Sequence, residues 1–296
     1  MVKKIGFDSI TKVLIYGSFF IITLTVIFPF LNLIAISLSD SKHVSELSGL
    51  AILPKGFSID TYAALLVNPK VLKGLLNSIL ITGIGTLVNV IFTCTTAYAL
   101  SFERLYGRKF FLIFIIITMV FEPGIIPDYL VMKYMGLLDS YWSVFLYKGI
   151  NVFYLMVLVR YFEEIPPSLI EAARIDGANH MQILFKIIIP VSGPAIAMIA
   201  LSYGIFHWNE YFRAMIYLSD PDKWPLQVIL RQFVVESDKT AMVGLQQLSN
   251  YSKAGMIDIK SLKAGIIILT VFPLILLYPL ILKFFTKGTM SGSVKE

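Results

Sequence analysis

A chain of 296 residues with 57% hydrophobic and 15% charged residues is far more apolar than a typical soluble domain, and its mean hydropathy is +0.78. This composition excludes an ordinary soluble globular protein and predicts a polytopic membrane protein. The 25 basic and 19 acidic residues give a net charge of +6, which suits a chain that faces anionic inner-leaflet lipid and requires no nucleic-acid partner. The single cysteine, Cys94, excludes a disulfide within the chain and is interpreted as a small buried hydrophobe.

Six apolar stretches of at least about 20 residues predict six transmembrane helices, since a hydrocarbon core about 30 Å thick requires helices of that length. The first is too long for a signal peptide and lacks a small-residue cleavage pattern, so we expect it to be uncleaved, with a kink at Pro29. The predicted fold class is all-α, with one membrane domain over residues 1–296 and no internal repeat. The predicted spans are Val13–Leu38, Leu75–Ser101, Phe110–Val131, Tyr141–Phe162, Val191–Leu218 and Leu262–Phe285.

An even number of spans places both termini on the same side of the membrane. Lys and Arg are almost equally divided between the two sides, so the positive-inside rule supports cytoplasmic termini only weakly. The cluster of Arg104, Arg108 and Lys109 in a short turn favours the same orientation. Each of the two longer outer segments is predicted to contain a short helix, one over Ile59–Leu66 and one that begins near Leu226.

A carboxylate inside a predicted span requires water or a charged partner, because hydrocarbon solvates it poorly. Glu122 lies in the third span, where Pro123 and Gly124 are expected to break the helix and free main-chain groups that a cavity could use. Two interpretations stay open. Glu122 belongs to a transport pathway, or the span is short and Glu122 lies at the outer surface.

Aromatic and hydrogen-bonding side chains are concentrated at the end of the fifth span, in the sequence FHWNEYF over residues 206–212. Aromatic faces pack on the C–H side of sugars, and amide, carboxylate and imidazole groups bond sugar hydroxyls. The alternative is an interfacial aromatic belt with helix caps, which also explains aromatic and lysine residues in the fourth span. The candidates for a carbohydrate pathway, with Glu122, are Tyr147, His207, Trp208, Asn209 and Glu210.

The sequence contains no recognisable catalytic or metal-binding pattern. Its three histidines are far apart, and no HExxH, Cys/His ligand spacing or nucleophile elbow occurs. A Walker A loop is also absent from the sequence. We therefore expect a protein that is not an enzyme and holds no metal or cofactor, so ATP-driven transport would require a separate ATPase subunit.

A polar, helix-forming insert, Ile165–Pro194, separates the fourth and fifth spans. Its first half predicts a helix over Pro167–Ile175 that begins with a capping box of Ser168 and Glu171. Such a box pairs each side chain with the other residue's main-chain N–H at the start of a helix.

The second half of the insert predicts a tight turn and another helix. Asp176 and Gly177 interrupt the helical pattern, and glycine can adopt the positive φ of such a turn. Asn179 is placed to cap the second helix, which ends near Pro190. The pattern alone fits either an ordinary interfacial loop or a docking element. The apolar stripe predicted for this helix consists of Met181, Leu184, Phe185 and Ile188.

The insert also carries a specific motif. Glu171-Ala172-Ala173, followed by Gly177 and by Ile189-Pro190, matches the EAA motif of the permease subunits of bacterial ABC importers. The longer string around EAARIDGAN is similar to the carbohydrate-importer branch typified by the smaller maltose permease subunit, and the similarity covers nearly the whole chain. The segment around Trp224 and the tail FFTKGTMSGSVKE resemble the subset associated with complex or polymeric sugars.

The resemblance implies a permease subunit that forms half of the translocation pathway of an ATP-driven importer for an oligosaccharide or complex sugar. It implies several partners: a second homologous permease subunit, two ATPase subunits that hold ATP and Mg²⁺, an external sugar-binding protein, and the lipid of the bacterial cytoplasmic membrane. The loop over residues 163–190 is then cytoplasmic and docks on an ATPase, and the tail over residues 286–296 reaches the ATPase interface. The residues implied in this coupling are Glu171, Ala172, Ala173, Asp176, Gly177 and Pro190.

Two other functional classes stay open from the residues alone. A secondary transporter or channel that works without ATP would require ion-coupling acids or an inverted repeat, and the sequence offers Glu122 alone for the first. A membrane scaffold would transport nothing. Retention of an ATPase subunit on purification from native membranes separates the importer from both.

Overall fold

The computed structural model describes residues 7–47, 49–235 and 258–292, with side chains over residues 11–47, 49–235 and 258–279. Within these ranges the chain is helical and contains no β-strand, apart from an isolated bridge between Ser39 and Phe57. The all-α class is confirmed for this part of the chain. The helices are α1 (Phe7–Ser37), α2 (Asp60–Val67), α3 (Pro69–Ser101), α4 (Arg108–Val120), α5 (Ile125–Tyr134), α6 (Tyr141–Leu146), α7 (Val152–Glu163), α8 (Pro167–Ile175), α9 (His180–Val191), α10 (Gly193–Asn209), α11 (Phe212–Tyr217), α12 (Leu226–Val234) and α13 (Ile259–Gly292).

Three described helices are long and apolar enough to cross a membrane: α1 from Thr11, α3, and the part of α13 over Ile259–Pro279. The bent pair of α9 and α10, whose axes differ by 87°, is a fourth candidate. The other three predicted spans are each interrupted by a short stretch outside the α-helices. These breaks lie at residues 121–124 between α4 and α5, 147–151 between α6 and α7, and 210–211 between α10 and α11.

The described residues divide into two compact units, one within the ranges 1–72 and 230–272 and the other within 73–229 and 273–296. In the first unit, α2 packs closely on α13. A Cβ at Gly265 would lie 2.7 Å from a Thr61 side-chain atom and 2.9 Å from one of Leu65, which is fully buried. Ser37 and Tyr62 join α1 to α2 through hydroxyl groups 2.8 Å apart.

The core of the second unit lies where α3, α7, α9 and α10 meet. Leu155 and Ile183 are fully buried there, as is Tyr203. The Tyr203 hydroxyl lies 2.8 Å from the Thr93 hydroxyl and accepts a hydrogen bond of 2.8 Å from the Asn151 N–H. One buried tyrosine therefore joins α10 to α3 and to the break before α7.

The first helix of the polar insert has the predicted bounds but a different cap. α8 begins with Pro167 in its first turn, and Pro166 precedes it without a side-chain hydrogen bond to the helix start. The predicted capping box of Ser168 and Glu171 is therefore wrong, because proline suits the first helical position and places Ser168 inside the first turn. The predicted positive φ of Gly177 is confirmed at +79°.

The second helix of the insert, α9, has the predicted cap but a different face. Asn179 accepts a hydrogen bond from the Gln182 N–H and donates its own N–H to the Gln182 side chain, each 2.9 Å, which forms a capping box. Residues 184–188 form a π-helical turn. The predicted apolar stripe is wrong, since Leu184 and Ile188 are buried whereas Met181 and Phe185 are more than half exposed. A π turn widens the spacing of hydrogen bonds and rotates the face that a 3.6-residue period predicts.

Both helices predicted in the outer segments are present. α2 covers Asp60–Val67 and α12 covers Leu226–Val234, each within one residue of the expected start. The rest of the second outer segment, over residues 236–257, and the end of the predicted tail, over residues 293–296, lie outside the described residues.

Candidate functional site

The turn between α8 and α9 is closed by main-chain hydrogen bonds. The Ala178 N–H donates to the Ala173 carbonyl at 2.9 Å, and the Gly177 N–H donates to the Arg174 carbonyl at 3.0 Å, which together form a Schellman motif. No atom lies within 4 Å of the position that a Gly177 Cβ would occupy. Gly177 is therefore required by its backbone conformation, and packing places no limit on its size.

The helix pair α8 and α9 exposes several large apolar side chains. Ile175 is 86% exposed, and Leu169, Met181 and Phe185 are also exposed. Among the motif residues, Glu171, Ala172, Asp176, Gly177 and Pro190 are exposed beside them. Large exposed apolar side chains grouped in this way are typical of a surface that another protein covers.

One motif residue faces inward. Ala173 is 9% exposed and packs in the same core cluster as Phe162, Ile183 and Leu184. Its small side chain therefore allows α8 to lie close to the rest of its own unit, so the contribution of Ala173 to the motif includes packing within the chain.

Aromatic contacts connect the helix pair to the end of α3. The Tyr98 hydroxyl lies 3.2 Å from Nδ1 of His180, the first residue of α9. The Phe102 ring packs edge-on against the His180 ring, with centroids 5.6 Å apart, and the Arg174 guanidinium lies 5.7 Å from the Phe102 centroid. Both helices of the insert are therefore in contact with the end of α3 and the residue that follows it.

A half-buried ion pair joins α4 to α7 near the end of α3. Arg108 forms a short charged hydrogen bond with Glu163, and its Nε–H donates to the Leu100 carbonyl at 2.7 Å. Arg160 reaches the other carboxylate oxygen of Glu163 at 3.0 Å but is 77% exposed. Arg108 thus ties the end of α3 to the end of α7.

A cavity of about 650 Å³ is lined by residues of the first two helix breaks and by Arg213 of α11. Gly124, with a φ of +85°, ends the first break and allows the chain to turn into α5. Lys148, in the second break, also has a positive φ, at +49°, which is uncommon for a residue with a side chain. The polar residues that line the cavity are Thr118, Glu122, Asp128, Tyr147, Lys148, Asn151 and Arg213.

The two cations of this cavity are held differently. Lys148 Nζ lies 2.8 Å from Glu122 Oε1, and the two side chains are 41% and 70% exposed. Arg213 packs over the buried Tyr147 ring, with Cζ 4.1 Å from the centroid, bonds the Tyr147 hydroxyl, and pairs with the buried Glu210 at 3.3 Å. Arg213 is therefore fixed by its surroundings, whereas the pair of Lys148 and Glu122 is open to solvent.

The structure brings together some of the predicted pathway residues and separates others. Glu122 and Tyr147 line the cavity, and Glu210 lies behind it through Arg213. The remaining three, His207, Trp208 and Asn209, are outside the cavity lining.

His207 and its neighbours are placed in helix packing. His207 is 1% exposed, and a Cβ at Gly85 would lie 2.7 Å from its Nε2. The Asn89 side-chain oxygen accepts a hydrogen bond of 3.2 Å from His207 Nε2. The Asn89 side-chain nitrogen donates to the Gly85 carbonyl. Trp208 is buried, whereas the exposed Asn209 bonds the Ile205 carbonyl. His207 therefore joins α10 to α3.

Sequence reasoning did not identify Arg213 as a residue of the site. It explained Lys148, the lysine of the fourth predicted span, as part of an interfacial belt. The signal for Arg213 is its position three residues after Glu210, since an acid and a base at this spacing can pair on one helical turn. The positive φ of Lys148 has no comparable signal, because it depends on the tertiary position of the break.

A cluster of hydrogen bonds around Asp139 and Lys223 fixes the connection that follows α11. Lys223 Nζ donates to the Asp139 carbonyl at 2.7 Å and to its carboxylate at 2.9 Å. The Asp220 N–H donates to the same carboxylate at 3.1 Å. The Lys223 ammonium group, followed by this main-chain N–H, holds the pKa of Asp139 below its ordinary value, and the Asp139 carboxylate raises the pKa of Lys223.

Comparison with known proteins gives a consistent family. Residues 101–290 match the family described as the binding-protein-dependent transport system inner membrane component. The chain is 40% identical over 289 residues to the polygalacturonan/rhamnogalacturonan transport system permease protein YtcP of Bacillus subtilis strain 168, covering 97% of this chain and 99% of that protein. It is 38% identical over 269 residues to protein LplC of the same strain, covering 91% and 89% of the two chains.

A solved structure agrees with these relatives. The chain matches a subunit of a bacterial ABC transporter involved in the import of the acidic polysaccharide alginate, with a TM-score of 0.84 and 32% sequence identity. The match covers 94% of this chain and 97% of that chain. The chain therefore belongs to the family of binding-protein-dependent transport system inner membrane components, the non-catalytic permease subunits of ABC importers.

Proposed function

We propose that this chain forms half of the translocation pathway of an ATP-driven importer for fragments of an acidic polysaccharide. Two similar proteins support this substrate class, since one is named for polygalacturonan and rhamnogalacturonan and the other belongs to an alginate importer. Both polygalacturonan and alginate are polymers of sugars that carry a carboxylate. Membership in the ABC permease family removes the ATP-independent transporter and the scaffold from consideration.

The proposed arrangement is a single membrane domain with six spans and both termini in the cytoplasm. Three spans are the continuous helices α1, α3 and α13, and three are the interrupted pairs α4–α5, α6–α7 and α10–α11. The chain works in the cytoplasmic membrane with a second, homologous permease subunit, two ATPase subunits and an external sugar-binding protein. ATP and Mg²⁺ are bound by the ATPase subunits.

The exposed apolar surface of α8 and α9 is the observation that carries the proposed coupling. Ile175, Met181 and Phe185 are exposed on a helix pair whose second member is bent by 87° from α10. If α10 crosses the bilayer, α9 then lies along the membrane surface, where a cleft of an ATPase subunit can cover it. Glu171 is placed beside this surface to pair with a basic residue of the ATPase, and Ala172 allows close approach.

Contacts within the unit allow α8 and α9 to transmit a rigid displacement to the helices that they touch. Ala173 and Ile183 are packed in the core of the unit, and His180 is joined to Tyr98 of α3. A rigid displacement of α8 and α9 during ATPase closure is therefore passed to the spans that contain the helix breaks. This corresponds to a two-state rocking motion between outward-facing and inward-facing arrangements.

The turn at Gly177 provides the test of coupling. Gly177→Val places a β-branched residue at a φ of +79°, whereas Gly177→Asn retains a residue type that tolerates this conformation. In the assembled transporter we expect Gly177→Val to lose ATPase co-purification or uptake while the chain still enters the membrane, and Gly177→Asn to keep both. Unchanged uptake and co-purification in the Val variant would show that this loop is not the coupling element.

The substrate class is tested separately with galacturonate oligomers and neutral maltooligosaccharides of equal length. Proteoliposomes that contain the wild-type transporter and its binding protein are expected to accumulate the galacturonate oligomer in an ATP-dependent manner. Uptake restricted to the neutral oligomer would contradict the proposed acidic substrate and leave the coupling proposal untouched.

A further inference from the structure

We propose that Lys148 binds a carboxylate of the transported sugar and that Glu122 occupies Lys148 when no sugar is present. This inference rests on the proposed acidic substrate. It assigns a substrate contact to this subunit, at the cavity lined by the first two helix breaks and by Arg213. The exchange replaces one carboxylate on Lys148 by another, so the ammonium group is paired with a carboxylate both before and after binding.

The pair of Lys148 and Glu122 has the properties of an exchangeable contact. A single bond of 2.8 Å joins the two groups, and both side chains are substantially exposed. Ion pairs that remain in contact with water contribute little net stability, so a carboxylate of the substrate competes with Glu122 at small cost. Glu122 lies in the first break, beside Pro123 and Gly124, where the chain is outside the helices.

The backbone of Lys148 provides a second, independent observation. Its φ of +49° is unfavourable for a residue with a side chain, and such conformations are concentrated at ligand-binding positions. Glycine would remove the strain, and Gly149 is the next residue, yet the strained position is occupied by lysine. The second break therefore places a cation at the cavity wall in a backbone conformation that is unfavourable for lysine.

Arg213 supplies a fixed positive group beside the same tyrosine ring. Its Cζ is 4.1 Å and Lys148 Nζ is 6.0 Å from the Tyr147 centroid. Because Glu210 and the Tyr147 hydroxyl already hold Arg213, it remains in place while Lys148 changes partner. The cavity of about 650 Å³ falls within the range of small-molecule pockets, about 300–1,000 Å³.

This exchange gives the site a basis for selectivity. A neutral sugar has no group that can replace Glu122, so Lys148 and Glu122 remain paired and the sugar gains no charged contact. An acidic sugar gains the contact and releases Glu122 to water. We therefore infer that this cavity discriminates between an acid and its ester of nearly the same size.

The test uses the complete reconstituted transporter with trigalacturonate and its fully methyl-esterified form as probes. We expect Lys148→Gln to lower the preference for the acid over the ester about tenfold, which corresponds to about 1.4 kcal/mol at 25 °C. Glu122→Gln removes the competing carboxylate and is expected to lower the KM for the acid several-fold, with little change for the ester. Lys133→Gln is the matched control, since Lys133 is an exposed lysine of α5 that does not line the cavity.

The outcomes separate this inference from the proposed function. A wild-type transporter that does not prefer the acid contradicts the proposed substrate class. A wild-type preference that Lys148→Gln and Glu122→Gln both leave unchanged overturns the role of Lys148 and keeps the proposed function. If Lys148→Gln does not assemble, the KM of Glu122→Gln decides: a lower value supports the exchange and an unchanged value contradicts it.

Discussion

The Tyr98 hydroxyl lies 3.2 Å from Nδ1 of His180, and this contact joins the end of the longest core helix of its unit to the start of α9. The edge-on packing of Phe102 against the same imidazole ring strengthens the connection. Since α9 belongs to the element proposed to dock on the ATPase, His180 is one of the residues through which we expect its displacement to reach α3.

His180→Ala is expected to uncouple the transporter partially. Loss of the hydrogen bond and ring contact should lower uptake several-fold relative to ATP hydrolysis, because α9 is then held to α3 by apolar packing alone. Uptake and hydrolysis are measured together in proteoliposomes. His43→Ala, at an exposed histidine in the first unit, is the control. A ratio of uptake to hydrolysis equal to that of the control would contradict the proposed route.

Arg108→Gln is expected to destabilise the protein more than Arg160→Gln, although both arginines contact the same carboxylate. Arg108 is 24% exposed and also bonds the Leu100 carbonyl, whereas Arg160 is 77% exposed. We expect a loss of about 1–3 kcal/mol for Arg108→Gln and less than about 0.5 kcal/mol for Arg160→Gln. Thermal unfolding in detergent measures the difference, and equal shifts in Tm would refute it.

Gly85→Ala is expected to destabilise the contact between α3 and α10. The added methyl group would lie 2.7–3.0 Å from three atoms of the buried His207 ring, which the surrounding helices hold in place. A cost of about 1–3 kcal/mol follows from such overpacking. The neighbouring Gly83→Ala is the matched control, since nothing lies within 4 Å of its Cβ position. Equal Tm values for the two variants would show that the contact relaxes freely.

Asp139 should make stability depend on pH in the acidic range. Lys223 holds the pKa of Asp139 below its ordinary value of about 3.9, so its contribution is complete above that pH and is lost as pH falls through the lower, folded-state pKa. The raised pKa of Lys223 preserves the pair until pH exceeds about 10.4, the ordinary value for lysine. Tm should therefore be insensitive to this pair between about pH 5 and 8.

Asp139→Asn isolates the charge, because asparagine also tolerates the φ of +55° at this position. The variant is expected to have a lower Tm at pH 7 and a smaller further loss between pH 5 and 3 than the wild type. Glu103→Gln, at an exposed acid outside the hydrogen-bond cluster of Asp139 and Lys223, serves as the control. A wild-type pH profile in Asp139→Asn would mean that the ion pair does not stabilise this connection.

Local sequence signals predicted helix ends correctly where nearby residues determine them. Pro167 and Gly177 gave the bounds of α8, and Asn179 gave the start of α9, because helix ends depend on nearby residues. The π turn at residues 184–188 escaped the same reasoning, and with it the exposure of Phe185.

The candidate cavity was predictable only in part. Pro123 and Gly124 identified one break and Glu122 one of its polar residues, since proline and glycine carry a local signal. The convergence of Lys148 and Arg213 depends on how separate helix pairs pack, which neither composition nor periodicity records. His207 shows the opposite case, since a residue type suited to sugar binding is used to join two helices.

The hydrogen bond from the Asn151 N–H to the Tyr203 hydroxyl has a consequence for how the chain enters the bilayer. The two residues are 52 positions apart, and α6 and α7 are synthesised before α10. Until Tyr203 arrives, the main chain of the break lacks this partner, and lipid offers no replacement. If α6 and α7 form a span as proposed, we expect this segment to reach its final depth only together with α10, by joint insertion of segments that are distant in the chain.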